Sequence, residues 1–61
     1  MTALPRIGAP ATRALAAVGI TELEQVAGRP ASELLALHGF GPRAVRLLDE
    51  ALQAAGLDRL T

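Results

Sequence analysis

No cysteine occurs in this chain, so neither a disulfide nor a cysteine-ligated zinc can hold it together. The single histidine, His38, cannot build a metal site alone and has no nucleophile beside it to activate. Phe40 is the only aromatic residue, which argues against recognition of RNA or single strands by base stacking. Lysine is absent, and every basic residue is arginine. No apolar run approaches the length of a membrane span. Pro5 and Arg6 interrupt the opening residues, which therefore lack the apolar core of a secretory signal; the expected setting is cytoplasmic, away from membranes. No paired acid and base and no cofactor loop is legible, and a chain this short leaves little room for a pocket. The sequence therefore predicts no enzyme, no cofactor and no metal.

What is present is leucine and alanine in quantity, both strong helix formers. The length of 61 residues predicts a single small domain. A domain of that size buries only about 60% of its unfolded surface, so its stability must come from close helix packing. The formal net charge is zero, which opposes a strong electrostatic DNA binder. The charges are nonetheless segregated. Arg6 and Arg13 stand alone in residues 1–18, and Arg43 and Arg46 alone in residues 38–48. Residues 19–37 hold Glu22, Glu24 and Glu33 with Arg29, and residues 49–61 hold Asp49, Glu50 and Asp58 with Arg59. Each arginine-only block nets +2, and each mixed block, three acids against one arginine, nets −2.

The arginine-only blocks coincide with two candidate hairpins. In Leu37-His38-Gly39-Phe40-Gly41-Pro42-Arg43, two glycines bracket one large apolar residue. Glycine admits backbone angles that a Cβ forbids, and proline suits the first turn of a helix. The stretch predicts helix, tight hairpin, helix. The first N–H groups of the new helix then have no intrahelical partner and lie at the positive end of its dipole, a ready anion site. Shifted by 33 positions, residues 4–15 lie on residues 37–48 with five of twelve positions identical: Leu4, Gly8, Ala11, Arg13 and Leu15 meet Leu37, Gly41, Ala44, Arg46 and Leu48. Ile7 meets Phe40. The copies are unequal, because Arg6 replaces Gly39 and Pro10 replaces Arg43. An internal repeat of this kind predicts a pseudo-twofold unit with a stronger second hairpin and a weaker first one.

Between the hairpins the punctuation is helical. Ala11, Leu15 and Val18 share a face from about Pro10 to Val18, and Gly19 is a left-handed stop. Thr21 and Glu24 have the spacing of a capping box for a short helix ended by Gly28. Pro30 opens a helix through Leu37 or His38, and a last helix runs from Pro42 to about Ala55, stopped by Gly56. Arg46 and Glu50 are spaced as an i,i+4 pair on it. Leu57 is expected to fold back, and residues 58–61 to form a short tail. The expected fold is all-α, a compact bundle of four to five short helices built from two helix-hairpin-helix halves. The expected core is Leu15, Val18, Ile20, Leu23, Leu34, Leu37, Phe40, Val45, Leu48 and Leu52.

The run from Leu37 through Gly39-Phe40-Gly41-Pro42-Arg43 resembles the helix-hairpin-helix family of DNA-backbone binders. Beyond the hairpins, Gly19-Ile20-Thr21-Glu22-Leu23, Ser32-Glu33-Leu34-Leu35 and Ala55-Gly56-Leu57 are similar to the C-terminal domain of the bacterial RNA polymerase alpha subunit, over roughly Ile7 to Leu57. That resemblance implies two helix-hairpin-helix halves, minor-groove contact with DNA and contact with activator proteins. The family's DNA-contacting arginine falls on or near Pro10 here, so the chain looks like a small protein of the same fold rather than a polymerase subunit. Arg13 stands near the family's next DNA-contacting polar residue, and the lysine that the family carries near the position of Arg43 implies DNA contact by Arg43.

The resulting expectation is one tandem helix-hairpin-helix domain over residues 1–61, with hairpins near 5–10 and 38–42. It would bind duplex DNA weakly and without sequence preference through Gly39, Gly41, Arg43 and Arg46, and less strongly through Arg6, Gly8 and Arg13. The rival, motivated by zero net charge, the absence of lysine and Pro10, is a protein-interaction module with the same fold and little DNA affinity.

Overall fold

In the computed structural model, which describes residues 2–61, the chain folds into three α-helices and one 3₁₀ turn, with no β-strand among the described residues. Helix α1 spans Ala9–Ala17, the 3₁₀ turn Leu23–Val26, α2 Ala31–Leu35 and α3 Pro42–Ala54. The fold is all-α, but it has three α-helices in place of four to five. Two differences account for this. The segment from Leu23 closes only a single 3₁₀ turn before Gly28 at φ 74° turns the chain. Among the described residues no helix precedes the first hairpin, so the chain does not form the two expected helix-hairpin-helix halves: residues 2–8 hold no helical turn, and Ala3 makes an isolated bridge to Glu22. The Cα radius of gyration is 10.0 Å, against about 10–11 Å for a packed chain of this length.

The helix ends follow from their glycines. At the end of α1, Gly19 takes φ 81°, its N–H reaches the Ala16 carbonyl at 3.0 Å and the Ile20 N–H reaches that of Leu15 at 2.9 Å. At the end of α3, Gly56 takes φ 71°, and the N–H groups of Gly56 and Leu57 reach the carbonyls of Gln53 and Leu52 at 3.1 and 2.8 Å. Both are Schellman closures, in which the residue after the left-handed glycine turns back onto the last helical turn. The same geometry corrects Val18. It is the C-cap of α1 and 53% exposed, because the turn at Gly19 hands its core position to Ile20. The core comprises Ile7, Ala11, Leu15, Ile20, Leu23, Val26, Leu34, Phe40, Ala44, Leu48 and Leu52, with Leu37 and Val45 half-buried against it.

Both ends of the described chain are tied to its middle. The capping arrangement lies one residue later than the Thr21–Glu24 spacing predicts: Gln25 Oε1 accepts from the N–H groups of Thr21 and Glu22 at 2.8 and 2.9 Å. Glu24 is thereby left to accept from the Thr2 N–H at 2.9 Å and the Thr2 hydroxyl at 2.7 Å. Nor are residues 58–61 a loose tail. The Thr61 N–H reaches the Arg29 carbonyl at 3.0 Å, and the Ala31 N–H reaches the Thr61 carbonyl at 2.9 Å. Asp49 of α3 accepts from Arg59 Nη2 at 2.7 Å and from the Leu60 N–H at 3.1 Å.

These ties have a pH signature. The hydrogen bond from the Thr2 hydroxyl is the main cause that holds the Glu24 carboxyl down to about 2 from 4.5. Asp49 is lowered as well, first by its hydrogen bond from Arg59. A carboxyl with a depressed folded pKa contributes stability above its unfolded value and loses it as pH falls through the folded one. The stability gap between the wild type and Glu24→Gln should therefore close between pH 4.5 and about 2. Thermal melts across that range test this, and a gap independent of pH would contradict it.

Candidate nucleic-acid interface

The 33-residue offset has a structural counterpart. Gly8 and Gly41 are the N-caps of α1 and α3, and each helix carries a proline in its first two positions. Ile7 and Phe40, Ala11 and Ala44, and Leu15 and Leu48 are buried pairs, whereas Arg13 and Arg46 are both exposed. In each copy the fourth helical N–H folds onto the capping glycine: Thr12 to the Gly8 carbonyl at 3.0 Å, Val45 to that of Gly41 at 3.2 Å. The N–H groups of Ala11, Arg43 and Ala44 make no hydrogen bond within the described chain.

These two helix starts open into one groove of about 390 Å³. Gly8 and Ala11 line it from α1, Gly41 and Ala44 from α3, and Arg6 and Arg43 supply its charge. No acidic residue lines it. An adjoining groove of about 410 Å³ is lined by Pro10, Arg13, Ala14, His38 and Gly39. Pro10 and Gly39 belong to both grooves and form the wall between them.

Five of the seven residues expected at the site thus share the first groove: Arg6, Gly8, Gly39, Gly41 and Arg43. Arg13 does not join Arg6 and Gly8. It stands across the second groove from His38. Arg46 lines neither groove. It also makes no ion pair with Glu50, despite the i,i+4 spacing: among the described residues the arginine ion pairs are Arg29 with Glu33 at 3.4 Å and Arg59 with Asp49 at 2.7 Å. Both paired arginines come from the net-acidic blocks. Arg6, Arg13, Arg43 and Arg46, the arginines of the basic blocks, make no ion pair among the described residues. The groups with displaced pKa values, Glu24, Asp49 and Arg59, all belong to the terminal ties.

The two glycines of the second hairpin have different jobs. Gly39 takes φ 88°, and a Cβ there would lie 3.2 Å from the Pro10 carbonyl oxygen and 3.3 Å from Pro10 Cβ. Gly41 takes φ −117°, which any residue adopts, and a Cβ there would meet nothing within 4 Å. Backbone freedom is therefore required at Gly39 and not at Gly41; at Gly41 the missing side chain leaves the first turn of α3 open to the groove. Gly39→Ala should cost about 1–2 kcal/mol from the left-handed backbone alone, with the clash against Pro10 added. Gly41→Ala should cost about 0.5 kcal/mol or less. Urea melts of the two variants check the contrast, and equal losses would refute it.

The pairing of Arg13 with His38 escaped sequence reasoning, because a repeat does not reveal which copy each hairpin packs against. Gly39 approaches Pro10 of α1, and Arg6 shares a groove with Arg43 of α3. Comparison with family models, with curated proteins and with solved structures returns no match.

Proposed function

We propose that this chain is a sequence-tolerant duplex-DNA-binding module of the helix-hairpin-helix kind, built on two hairpin-and-helix copies related by a pseudo-twofold axis. The observation that carries this reading is the convergence of two helix N-termini with Arg6 and Arg43, both unpaired, on one groove without an acid. Helix N-termini and arginines both favour phosphate oxygens, and a groove walled by glycine and alanine lets a sugar-phosphate backbone approach closely. Such contacts position a duplex without reading its bases.

Two to four neutralised phosphates would give a slope of log K against log salt of about −2 to −4. Affinity is expected in the non-specific range, with a Kd of about 10⁻⁴–10⁻⁶ M. Fluorescence anisotropy with duplexes of unrelated sequence, repeated over a salt series, tests both values. A flat salt response, or no binding at low salt, would overturn the proposal. A protein-interaction module is the second reading, favoured by Val18 and Leu35, which are 53% and 45% exposed and line neither groove. That reading predicts no DNA binding and a partner that covers those two side chains.

A further inference from the structure

The geometry points to the second groove as a separate, proton-gated phosphate site, in which Arg13 of α1 and protonated His38 of the α2–α3 hairpin hold one phosphodiester while the first groove holds another. This inference rests on the duplex-DNA reading above and adds to it a second contact and a regulator.

Three observations carry it. The second groove, about 410 Å³, adjoins the first across the Pro10–Gly39 wall, so one polyanion can reach both. Its two polar side chains, Arg13 and His38, are exposed, come from different elements, and make no side-chain hydrogen bond or ion pair among the described residues. The third observation is compensation between the copies. The first groove takes one cation from a hairpin, Arg6, and one from a helix, Arg43. The counterparts of these residues are Gly39 and Pro10, which carry no charge. The second groove nevertheless keeps one group from a hairpin and one from a helix, because His38 stands beside Gly39 and Arg13 stands one turn after Pro10. Both grooves thus take one basic group from a hairpin and one from a helix, and one of the four is an imidazole.

The charges around His38 leave its protonation to act on the ligand. Arg13 of α1 lines the same groove, and Arg6 and Arg43 line the adjoining one. On α2, Glu33 is engaged with Arg29 at 3.4 Å, and on α3, Asp49 is engaged with Arg59 at 2.7 Å. Glu50 of α3 lines neither groove. Histidine is the side-chain type whose ordinary range lies between about pH 5 and 8, and this sequence has one. Protonation of the imidazole would add a second positive charge to that of Arg13 in the second groove. A phosphate beside an imidazolium favours the charged form.

The experiment is duplex-DNA affinity at about pH 5.5 and about pH 8, toward the two ends of that range, at constant ionic strength. Wild-type protein should bind about fivefold more tightly at the lower pH, the effect of one exposed charge pair. Its salt slope there should be steeper by about 0.9, one extra phosphate contact. His38→Gln should lose the pH dependence. Arg43→Ala should weaken binding at both pH values and keep the ratio between them. In an NMR titration of the wild type, the His38 ring-proton midpoint should move upward when duplex is added. Binding that is equal at the two pH values, or a pH dependence that survives in His38→Gln, would overturn the gated site and leave the first groove's role standing. An absence of binding at both pH values would overturn the DNA reading and this inference with it.

Discussion

Replacing Phe40 with alanine should cost about 3–5 kcal/mol, the range for deleting a buried phenylalanine. That is comparable to everything a core in a chain this short supplies, about 3–5 kcal/mol. Phe40 is the only aromatic residue and is 7% exposed, packed into the core between the left-handed turn at Gly39 and the capping Gly41. Its loss removes the anchor that seats the second hairpin on α1, so the wall between the grooves goes with it. Phe40→Ala should be largely unfolded at 25 °C, or melt far below the wild type, whereas Phe40→Leu, which keeps most of the volume, should lose much less. Circular dichroism melts of the three proteins check this. An unchanged melting temperature in Phe40→Ala would mean that the core does not include the hairpin.

The largest functional effect should come from the first groove. Arg43→Ala should weaken duplex binding about tenfold at low salt, in keeping with a charged hydrogen bond to phosphate, and lower the salt slope by about 0.9. Arg6→Ala should have an effect of the same kind, because Arg6 lines the same groove from the other copy. From the sequence alone Arg6 ranks low, as a poor replacement for a hairpin glycine. The groove makes it the partner of Arg43. The double variant Arg6→Ala/Arg43→Ala should lose about 1.8 units of slope. Arg46→Ala should have the smallest effect of the basic-block arginines, since Arg46 lines neither groove. None of these changes should move the folding midpoint by more than about 0.5 kcal/mol, because all three side chains are exposed. Should Arg46→Ala prove the most damaging, DNA would have to approach a different face of α3.

Local signals in the sequence carried the elements that local physics decides. Gly19 and Gly56 end helices because a left-handed residue is needed there, and Pro42 opens one because its missing N–H is no loss at that position. Ile7, Ala11 and Leu15 are buried, as are Phe40, Ala44 and Leu48 at positions 33 further on. The misses are tertiary. Val18 continues the apolar stripe of α1, and the stripe cannot show that Gly19 turns Ile20 into its place. Thr21 and Glu24 have capping-box spacing, yet Gln25 takes that role and Glu24 accepts from Thr2, 22 positions away. Asp49 and Arg59 are 10 positions apart, beyond any helical pair, and their contact ties down residues that read as a tail. Arg46 and Glu50 show the converse, a spacing that permits an ion pair where none forms. For the site, the glycines and arginines were legible as types. Their assortment into two grooves was not, because it depends on how the two copies pack together.

Two helix starts with Arg6 and Arg43 are proposed to form one phosphate-binding face. An ¹⁵N-labelled NMR titration with a mixed-sequence duplex at low salt tests it most directly. Amide shifts should concentrate at Gly8, Ala11 and Arg13 and from His38 to Ala44, with Ala11, Arg43 and Ala44, whose N–H groups have no partner among the described residues, moving most. Val18, Leu35 and residues 57–61 should stay still. Shifts centred on Val18 and Leu35, or no shifts anywhere, would contradict the account.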